Sequence, residues 1–180
     1  AHCGSDLGLI RTKAEAKDDH YLIKGNKIFI SSGKHDASDN IIHLVLARLT
    51  DSPKGIKGLS LFLVPEKIQD TNGDWNQTNY VECIGIEEKM GIHGSPTCSM
   101  SFENAKGYLV GEVNGGIQAM FTMMNEMRLG TCLQGVGLSE RAYQKALGYA
   151  KERAQMRSLS GKKQPDQEAD FIIEHPDVRR

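Results

Sequence analysis

The chain has 180 residues, of which 39% are hydrophobic, and its 22 basic and 23 acidic residues leave a net charge of -1. This balance provides no broad electrostatic basis for binding nucleic acid or an anionic membrane, and leaves only a local basic site open. No apolar run approaches the roughly 18 residues that a membrane-spanning helix needs. The composition therefore predicts a soluble globular protein without a membrane span. The four cysteines are widely spaced and His93 has no partner ligand nearby, so we predict no metal site.

Residues 7 to about 103 carry the pattern of short β-strands separated by turns. The apolar segments are rich in β-branched residues or leucine, and they end in turn-forming residues such as Ser32-Gly33 and Asp51-Ser52-Pro53. The segment IKGNKIF, broken by Gly25-Asn26, predicts a β-hairpin. Six or seven strands with no helix between them predict an antiparallel barrel or sandwich.

The pattern changes after Gly115-Gly116. From Ile117 to about Met156 there is no proline and apolar residues recur close to helical spacing, which predicts one long helix. An interior glycine costs about 0.8 to 1 kcal/mol relative to alanine. We therefore expect close approach of another helix or a ligand at three glycines of this segment: Gly130, Gly135 and Gly137.

The two ends suggest a piece of a larger protein. The chain starts without methionine, and it stops soon after the apolar segment FII begins a new element, which predicts a second helix with Asp177 near its start. A β half followed by the start of an α half is typical of two domains of an α+β protein. We therefore expect a fragment of fold class α+β.

Five motifs, in order along the chain, resemble those of the acyl-CoA dehydrogenase family. They are AHCGSD, KGNKIFISSG, EKMGIHGSPTCSMSFENA, YLVGEVNGGIQAMFTMMNEMRLG and YAKERAQMR. Each alone is weakly specific, but their combination and order are highly specific. The GIHGSPTC variant, together with the long loop before IIEHPDVRR, resembles the larger bacterial branch of the family with an extra C-terminal region.

The resemblance implies an antiparallel β-barrel, the family's middle domain, at residues 1–108. Residues 109–180 would begin a C-terminal helical bundle domain and be truncated. It also implies FAD as cofactor, an acyl-CoA substrate, and an electron-transfer flavoprotein or a similar electron acceptor. The full-length protein is expected to be a cytoplasmic homodimer or tetramer of fatty acid metabolism.

The family reaction removes a proton from the α carbon of an acyl-CoA thioester while hydride leaves the β carbon for the flavin, forming the 2,3-enoyl-CoA. Most members place the catalytic carboxylate late in the C-terminal domain. A minority place it immediately before the arginine that Arg128 matches, where this chain has Met127. Glu126 precedes Met127 by one residue and is turned about 100° around the helix from it, so it points in another direction. We therefore expect the base outside this chain and no catalysis by the chain alone.

The resemblance assigns three residues of the first half to the flavin and substrate sites. Ser5 matches the serine that touches the substrate near the flavin edge. Phe29 and Ser31 match the tryptophan and threonine that contact the flavin, and strand alternation places both on one face. The alternatives are a turn-capping Ser-Asp pair for Ser5 and a core aromatic with an incidental serine for the other two.

Five further residues are candidates. Asn125 and Arg128 match the Asp-x-x-Arg that reaches the CoA moiety, although a solvated helix face is the alternative for an arginine. Thr50 is a weaker candidate for contact with the CoA nucleotide. Arg153 and Gln155 match a motif that contacts FAD, mostly that of the neighbouring subunit, and arginine suits a pyrophosphate. A plain charged helix end is the alternative for this pair.

Two other functions remain open on the sequence. An acyl-CoA oxidase or a flavin monooxygenase-like relative has the same fold and differs in how oxygen reaches the reduced flavin. A non-enzymatic β-barrel module with a helical arm that binds a partner protein is also consistent with a chain that lacks the base.

Overall fold

The structure, a computed structural model, describes residues 4–179. Within this range the strands are β1 (Lys13–Ala16), β2 (Tyr21–Ser31), β3 (Ile42–Ala47), β4 (Ser60–Pro65), β5 (Lys67–Gln69), β6 (Trp75–Thr78), β7 (Val81–Ile86) and β8 (Thr97–Val110). The helices are α1 (Gly116–Glu152) and α2 (Pro176–Arg179), and short 3-10 turns occur at Leu7–Leu9, Ile56–Gly58 and Ile172–Glu174. The chain divides into two compact units, one up to Met124 and one from Asn125.

An antiparallel sheet with the order β1-β2-β8-β4-β3 forms the first unit, and β7 pairs with β8 beside it. The short strands β5 and β6 form a separate pair. The two edges of the large sheet meet at an isolated parallel bridge between Lys13 and Arg48. There the backbone N–H of Ala14 donates to the Arg48 carbonyl at 2.8 Å. The sheet is thus a partly closed barrel, and the predicted α+β class with antiparallel strands is confirmed.

The core of this unit consists of two apolar clusters. The first lies on the inward faces of the strands, where Phe62 and Phe102 are fully buried and the Tyr21 ring lies 5.0 Å from that of Phe62. The second contains four buried residues, Ile10, Leu46, Leu59 and Leu61. The first turn of α1 packs against this second cluster through Ile117, Ala119 and Met120. Alternation of buried and exposed residues along β3 and β8 produces this arrangement.

The predicted hairpin at IKGNKIF is wrong, because β2 runs through this segment as one strand. Gly25 has a φ of 136°, and an added Cβ would lie 3.0 Å from the Cα of Thr12. This glycine therefore permits close approach of a neighbouring segment rather than a turn. The register between β2 and β8 shifts twice, and the second shift lies between Lys27 and Ile30.

The predicted long helix is confirmed, although α1 ends at Glu152 instead of near Met156. Beyond that point the backbone is extended, and Ala154 forms a bridge with Phe171. The predicted second helix is also present as α2, with Asp177 in its first turn. No helix among residues 4–179 is both long enough and apolar enough to cross a membrane.

The start of α1 is attached tightly to β4. The backbone N–H of Gly116 donates to the Leu59 carbonyl at 2.9 Å, and that of Asn114 donates to the Ser60 hydroxyl at 2.8 Å. An added Cβ on Gly116 would lie 2.5 Å from the Ser60 carbonyl carbon. The predicted domain boundary after residue 108 stays a prediction; β8 continues to Val110 and the first compact unit to Met124.

Candidate functional site

Phe29 presents an exposed aromatic ring on the surface of the barrel. It lies in the second register shift of β2, has a φ of 60°, and exposes 57% of its surface. The next residue, Ile30, packs against the core, and Ser31 is exposed again. Phe29 and Ser31 therefore share the outer face of β2, which is the arrangement that binding of one ligand by both would need.

The segment Gly4-Ser5-Asp6 lies beside this ring. A Cβ added to Gly4 would be 3.6 Å from Cδ2 and Cε2 of Phe29. The carboxylate of Asp6 accepts a 3.2 Å hydrogen bond from the Gly8 backbone N–H and so caps the following 3-10 turn. Asp6 therefore has the capping role, and Ser5 is left exposed next to the ring-facing glycine. The first three residues of the AHCGSD motif lie outside the described residues.

Arg48, which the sequence interpretation missed, attaches the loop after this segment to the barrel. Its guanidinium donates to the carbonyl oxygens of Gly8 at 2.9 Å and Ile10 at 3.0 Å. A third hydrogen bond reaches the Pro53 carbonyl at 3.1 Å. The available signal was a single arginine directly after the apolar strand LVLA. Thr50, two residues further on, is exposed in a turn.

Asn125 and Arg128 lie on α1, in the second unit. Nη1 of Arg128 donates to Oδ1 of Asn125 at 3.3 Å, as expected for residues three positions apart on a helix. Both side chains are exposed, and so are those of Glu126 and Met127. The predicted pair is therefore held together as one polar group.

Arg153 and Gln155 lie in the extended segment after α1, also in the second unit. The backbone N–H of Gln155 donates to the Asp170 carbonyl at 2.9 Å, and that of Ile172 donates to the Arg153 carbonyl at 2.8 Å. Both side chains are exposed, as is that of Ala154 between them. In an extended segment, residues two positions apart project from the same side. This local pairing holds the two candidates in a common direction.

Asp170, a second residue that the sequence interpretation missed, organises the loop behind this segment. Its side chain is fully buried. Backbone N–H groups of Ser158 at 2.8 Å, Lys163 at 2.9 Å and Gln164 at 2.7 Å donate to its carboxylate. The hydrogen bond from Ser158, with smaller contributions from Gln164, Lys163 and the Arg157 charge, lowers the pKa of Asp170 to about 2 against the effect of burial.

The structure thus groups the predicted site residues locally. In the first unit Ser5, Phe29 and Ser31 lie near one another, while Thr50 follows the arginine that holds the Ser5 loop. In the second unit the candidates form two pairs, Asn125 with Arg128 and Arg153 with Gln155. What each residue binds stays a prediction.

Two acyl-CoA dehydrogenases are similar to this chain in sequence. A 3-methylmercaptopropionyl-CoA dehydrogenase of Ruegeria pomeroyi is 50% identical over 98% of the chain, and a butyryl-CoA dehydrogenase of Syntrophomonas wolfei is 43% identical over 98%. The chain spans 30% of the length of each of these relatives.

Solved structures agree with these sequence relatives. The butyryl-CoA dehydrogenase of Megasphaera elsdenii has a TM-score of 0.72 at 26% identity, covering 98% of this chain and 40% of that one. A glutaryl-coenzyme A dehydrogenase in complex with glutaryl-CoA has a TM-score of 0.68 at 29% identity, with 92% and 38% coverage. Residues 1–105 match the sequence model of the acyl-CoA dehydrogenase middle domain, and the chain therefore belongs to the acyl-CoA dehydrogenase family.

Proposed function

We propose that the full-length protein is an FAD-dependent dehydrogenase that oxidises an acyl-CoA thioester to the 2,3-enoyl-CoA. The observation that carries this proposal is the exposed Phe29 ring, with Ser31 on the same face of β2 and Gly4 against its edge. The ring exposes 57% of its surface and offers a flat apolar face to a ligand. Family membership supports the flavin as that ligand.

The residues present fit FAD. The ring of Phe29 offers a flat apolar surface to the isoalloxazine, and the Ser31 hydroxyl and nearby backbone can hydrogen-bond to its polar edge. Arg153 can bind a pyrophosphate through its planar, permanently charged guanidinium, and Gln155 projects from the same side. When bound, FAD supplies the hydride acceptor for the β carbon.

Contacts with an acyl-CoA substrate are proposed separately for each unit, at Ser5 and Thr50 in the first and at Asn125 and Arg128 in the second. Ser5 lies next to Gly4 and would touch the thioester end near the flavin. Asn125 orients the Arg128 guanidinium through the 3.3 Å hydrogen bond, and this pair would bind the CoA moiety. Thr50, exposed in the turn after β3, would contact the CoA nucleotide.

The proton-abstracting carboxylate is proposed to lie outside residues 1–180. The position that some family members use for the base is Met127, and a thioether cannot accept the proton at neutral pH. Glu126, one residue away, is turned about 100° around the helix axis. Electrons would leave the reduced flavin for an electron-transfer flavoprotein or a similar acceptor, in a cytoplasmic homodimer or tetramer.

The names of the relatives suggest short acyl chains. The relative at 50% identity is named for 3-methylmercaptopropionyl-CoA, and that at 43% for butyryl-CoA. Both acyl groups carry hydrogen on the α and β carbons, as the reaction requires. We therefore propose a short, straight acyl group as substrate.

The decisive experiment uses the purified full-length protein. It should carry FAD, and anaerobic addition of butyryl-CoA or 3-methylmercaptopropionyl-CoA should bleach the visible absorbance of the bound flavin, because hydride transfer reduces it. Stopped-flow mixing of the reduced enzyme with oxygen then separates a dehydrogenase from an oxidase. Rapid reoxidation by oxygen would contradict the dehydrogenase proposal, and a colourless protein that binds no FAD would support a non-enzymatic module.

A further inference from the structure

Arg48 joins two segments of the first unit, residues 8–14 and the loop that contains Pro53. Its side chain donates hydrogen bonds to the carbonyl oxygens of Gly8, Ile10 and Pro53, at 2.9, 3.0 and 3.1 Å. Its backbone adds two more, with the Arg48 N–H donating to the Thr12 carbonyl at 2.9 Å and the Ala14 N–H donating to the Arg48 carbonyl at 2.8 Å. The half-buried guanidinium thus binds carbonyl groups from segments that precede and follow β3 in the chain.

The loop that Arg48 holds is continuous with the segment at the Phe29 ring. Gly8 lies in the 3-10 turn Leu7–Leu9, which Asp6 caps through the Gly8 N–H. At its start the Leu7 N–H donates to the Ser5 carbonyl at 3.1 Å. A series of three hydrogen bonds connects Arg48 to Ser5. Nε of Arg48 donates to the Ile10 carbonyl at 3.0 Å, the Ile10 N–H donates to the Leu7 carbonyl at 3.3 Å, and the Leu7 N–H donates to the Ser5 carbonyl.

The surroundings of Arg48 are shaped for a planar guanidinium. Gly58 leaves no space for a side chain, since an added Cβ would lie 1.8 Å from the Pro53 carbonyl oxygen and 3.0 Å from Nη1 of Arg48. Arginine has five N–H donors in one plane and can reach three carbonyls at once, whereas the lysine ammonium is a single point. Loss of the Arg48 guanidinium would leave carbonyl groups of a half-buried loop without hydrogen-bond partners.

We propose that Arg48 is a positioning residue, which holds the Gly4-Ser5 segment against Phe29 and so places the Ser5 hydroxyl for contact with the substrate. The role in catalysis rests on the proposed function, because Ser5 acts on an acyl-CoA only if the protein binds one. Arg48 itself lies three hydrogen-bonded steps from Ser5 and acts through it.

The first test is independent of flavin and substrate. Hydrogen–deuterium exchange of the full-length protein is measured for the amides of residues 6–10 in wild type, Arg48→Lys and Arg48→Gln. Arg11→Lys is the matched control, since Arg11 belongs to the same loop and is exposed. We expect exchange of this segment to accelerate about tenfold or more in both Arg48 variants and to stay unchanged in the control. Unchanged exchange in the Arg48 variants would overturn the proposal.

The second test is a double-mutant cycle on acyl-CoA oxidation. Arg48→Lys should lower kcat/KM by about 10- to 100-fold, since small displacements of a positioning group have effects of this size. In the Ser5→Ala background the same change should lower kcat/KM by less than about threefold, because the group through which Arg48 acts is gone. Equal losses in both backgrounds would indicate a merely structural arginine and contradict the proposal.

Thermal melting of every variant accompanies both tests. If neither Arg48→Lys nor Arg48→Gln folds, Arg48 is a residue of global stability and the positioning proposal is wrong. Failure of the proposed function has a different signature, which is a wild-type protein without flavin turnover. Failure of the Arg48 proposal would instead appear as unchanged exchange of residues 6–10 in an active enzyme.

Discussion

The carboxylate of Asp170 accepts a 2.8 Å hydrogen bond from the backbone N–H of Ser158, twelve residues earlier in the chain. Arg157, the neighbour of Ser158, contributes Nη1 at 3.3 Å to the same carboxylate and donates to the carbonyls of Gln164 and Gln167. One buried negative charge thus organises the whole loop between α1 and the strand-like segment at Phe171. The loop in turn supports the backbone pairing that holds Arg153 and Gln155.

Asp170 should make the protein less stable as the pH becomes acidic. Its folded pKa of about 2 lies below the ordinary value, so its contribution is fully present above about pH 4 and is lost as pH falls toward 2. Asp170→Asn should therefore lower the melting temperature at pH 7, and the difference from wild type should shrink at pH 3. Circular dichroism melts at both pH values measure this.

The control for Asp170 is Asp166→Asn, a change of the same chemistry at an exposed position of the same loop. It should leave the melting temperature nearly unchanged at both pH values. A difference between Asp170→Asn and wild type that stays constant from pH 7 to pH 3 would show that the charge of Asp170 does not stabilise the loop.

Phe29→Ala should weaken FAD binding while leaving the fold intact. The ring is 57% exposed, so little core packing is lost, but a stacking surface worth about 0.5 to 1.5 kcal/mol disappears, which is roughly a 2- to 10-fold rise in Kd. Fluorescence titration of the apoprotein with FAD measures the change. Phe29→Trp should restore affinity.

Tyr80→Ala is the matched control for Phe29. Tyr80 is also an aromatic residue with positive φ, 53°, and its exposed fraction is 63%. FAD affinity of this variant should equal that of wild type. If both alanine variants weaken FAD binding equally, the Phe29 ring has no specific contact with the flavin.

Gly116→Ala should destabilise the first unit. The added methyl would lie 2.5 Å from the Ser60 carbonyl carbon and 2.7 Å from the Leu61 nitrogen, which are backbone atoms that cannot move aside. Overpacking of this kind costs about 1 to 3 kcal/mol. Chemical denaturation of the 180-residue chain provides the free energy of unfolding.

Gly130→Ala serves as the opposite control on the same helix. An added Cβ at Gly130 meets no described atom within 4 Å, so alanine should stabilise the isolated chain by about 0.8 to 1 kcal/mol through helix propensity. In the full-length protein the predicted close approach at Gly130 should remove or reverse this gain. A gain of equal size in both proteins would refute close approach there.

His43 should make stability fall on mild acidification. Its side chain is buried, Nε2 has no hydrogen-bond partner among the described residues, and the ring lies edge-on to Phe102 at 5.9 Å. Burial lowers the pKa of His43, with the Glu66 carboxylate opposing and the Lys34 ammonium assisting. Because the folded pKa lies below the unfolded value of about 6.5, protonation favours unfolding as pH drops below that value.

His43→Leu should remove this pH dependence. It should also raise stability at pH 7 by about 1 kcal/mol, since an unpartnered buried nitrogen is replaced by an apolar group. Denaturant titrations at pH 7.5 and pH 5.5 measure the free energy of unfolding. The control is His93→Leu, a change at an exposed histidine, which should preserve the wild-type difference in free energy of unfolding between the two pH values. If the free energy of unfolding of His43→Leu falls between pH 7.5 and pH 5.5 as much as that of wild type, groups other than His43 cause the pH dependence.

Much of this protein was predictable from the sequence, because the informative signals are local. Apolar periodicity predicted α1 to within four residues at its C-terminal end, and strand patterns predicted the antiparallel fold class. Motif order predicted the family. Alternation placed Phe29 and Ser31 on one face of a strand, and both are exposed; their contact with a flavin stays a prediction.

The tertiary structure decided what depends on contacts between distant residues. Gly25 suggested a hairpin by its type, yet its freedom is used for close approach to Thr12, thirteen positions away. Arg48 and Asp170 look like ordinary charged residues in the sequence, because most of their partners are backbone groups that only folding brings to them. Sequence patterns record side-chain type and spacing, whereas hydrogen bonds to remote carbonyl and N–H groups leave no trace in either.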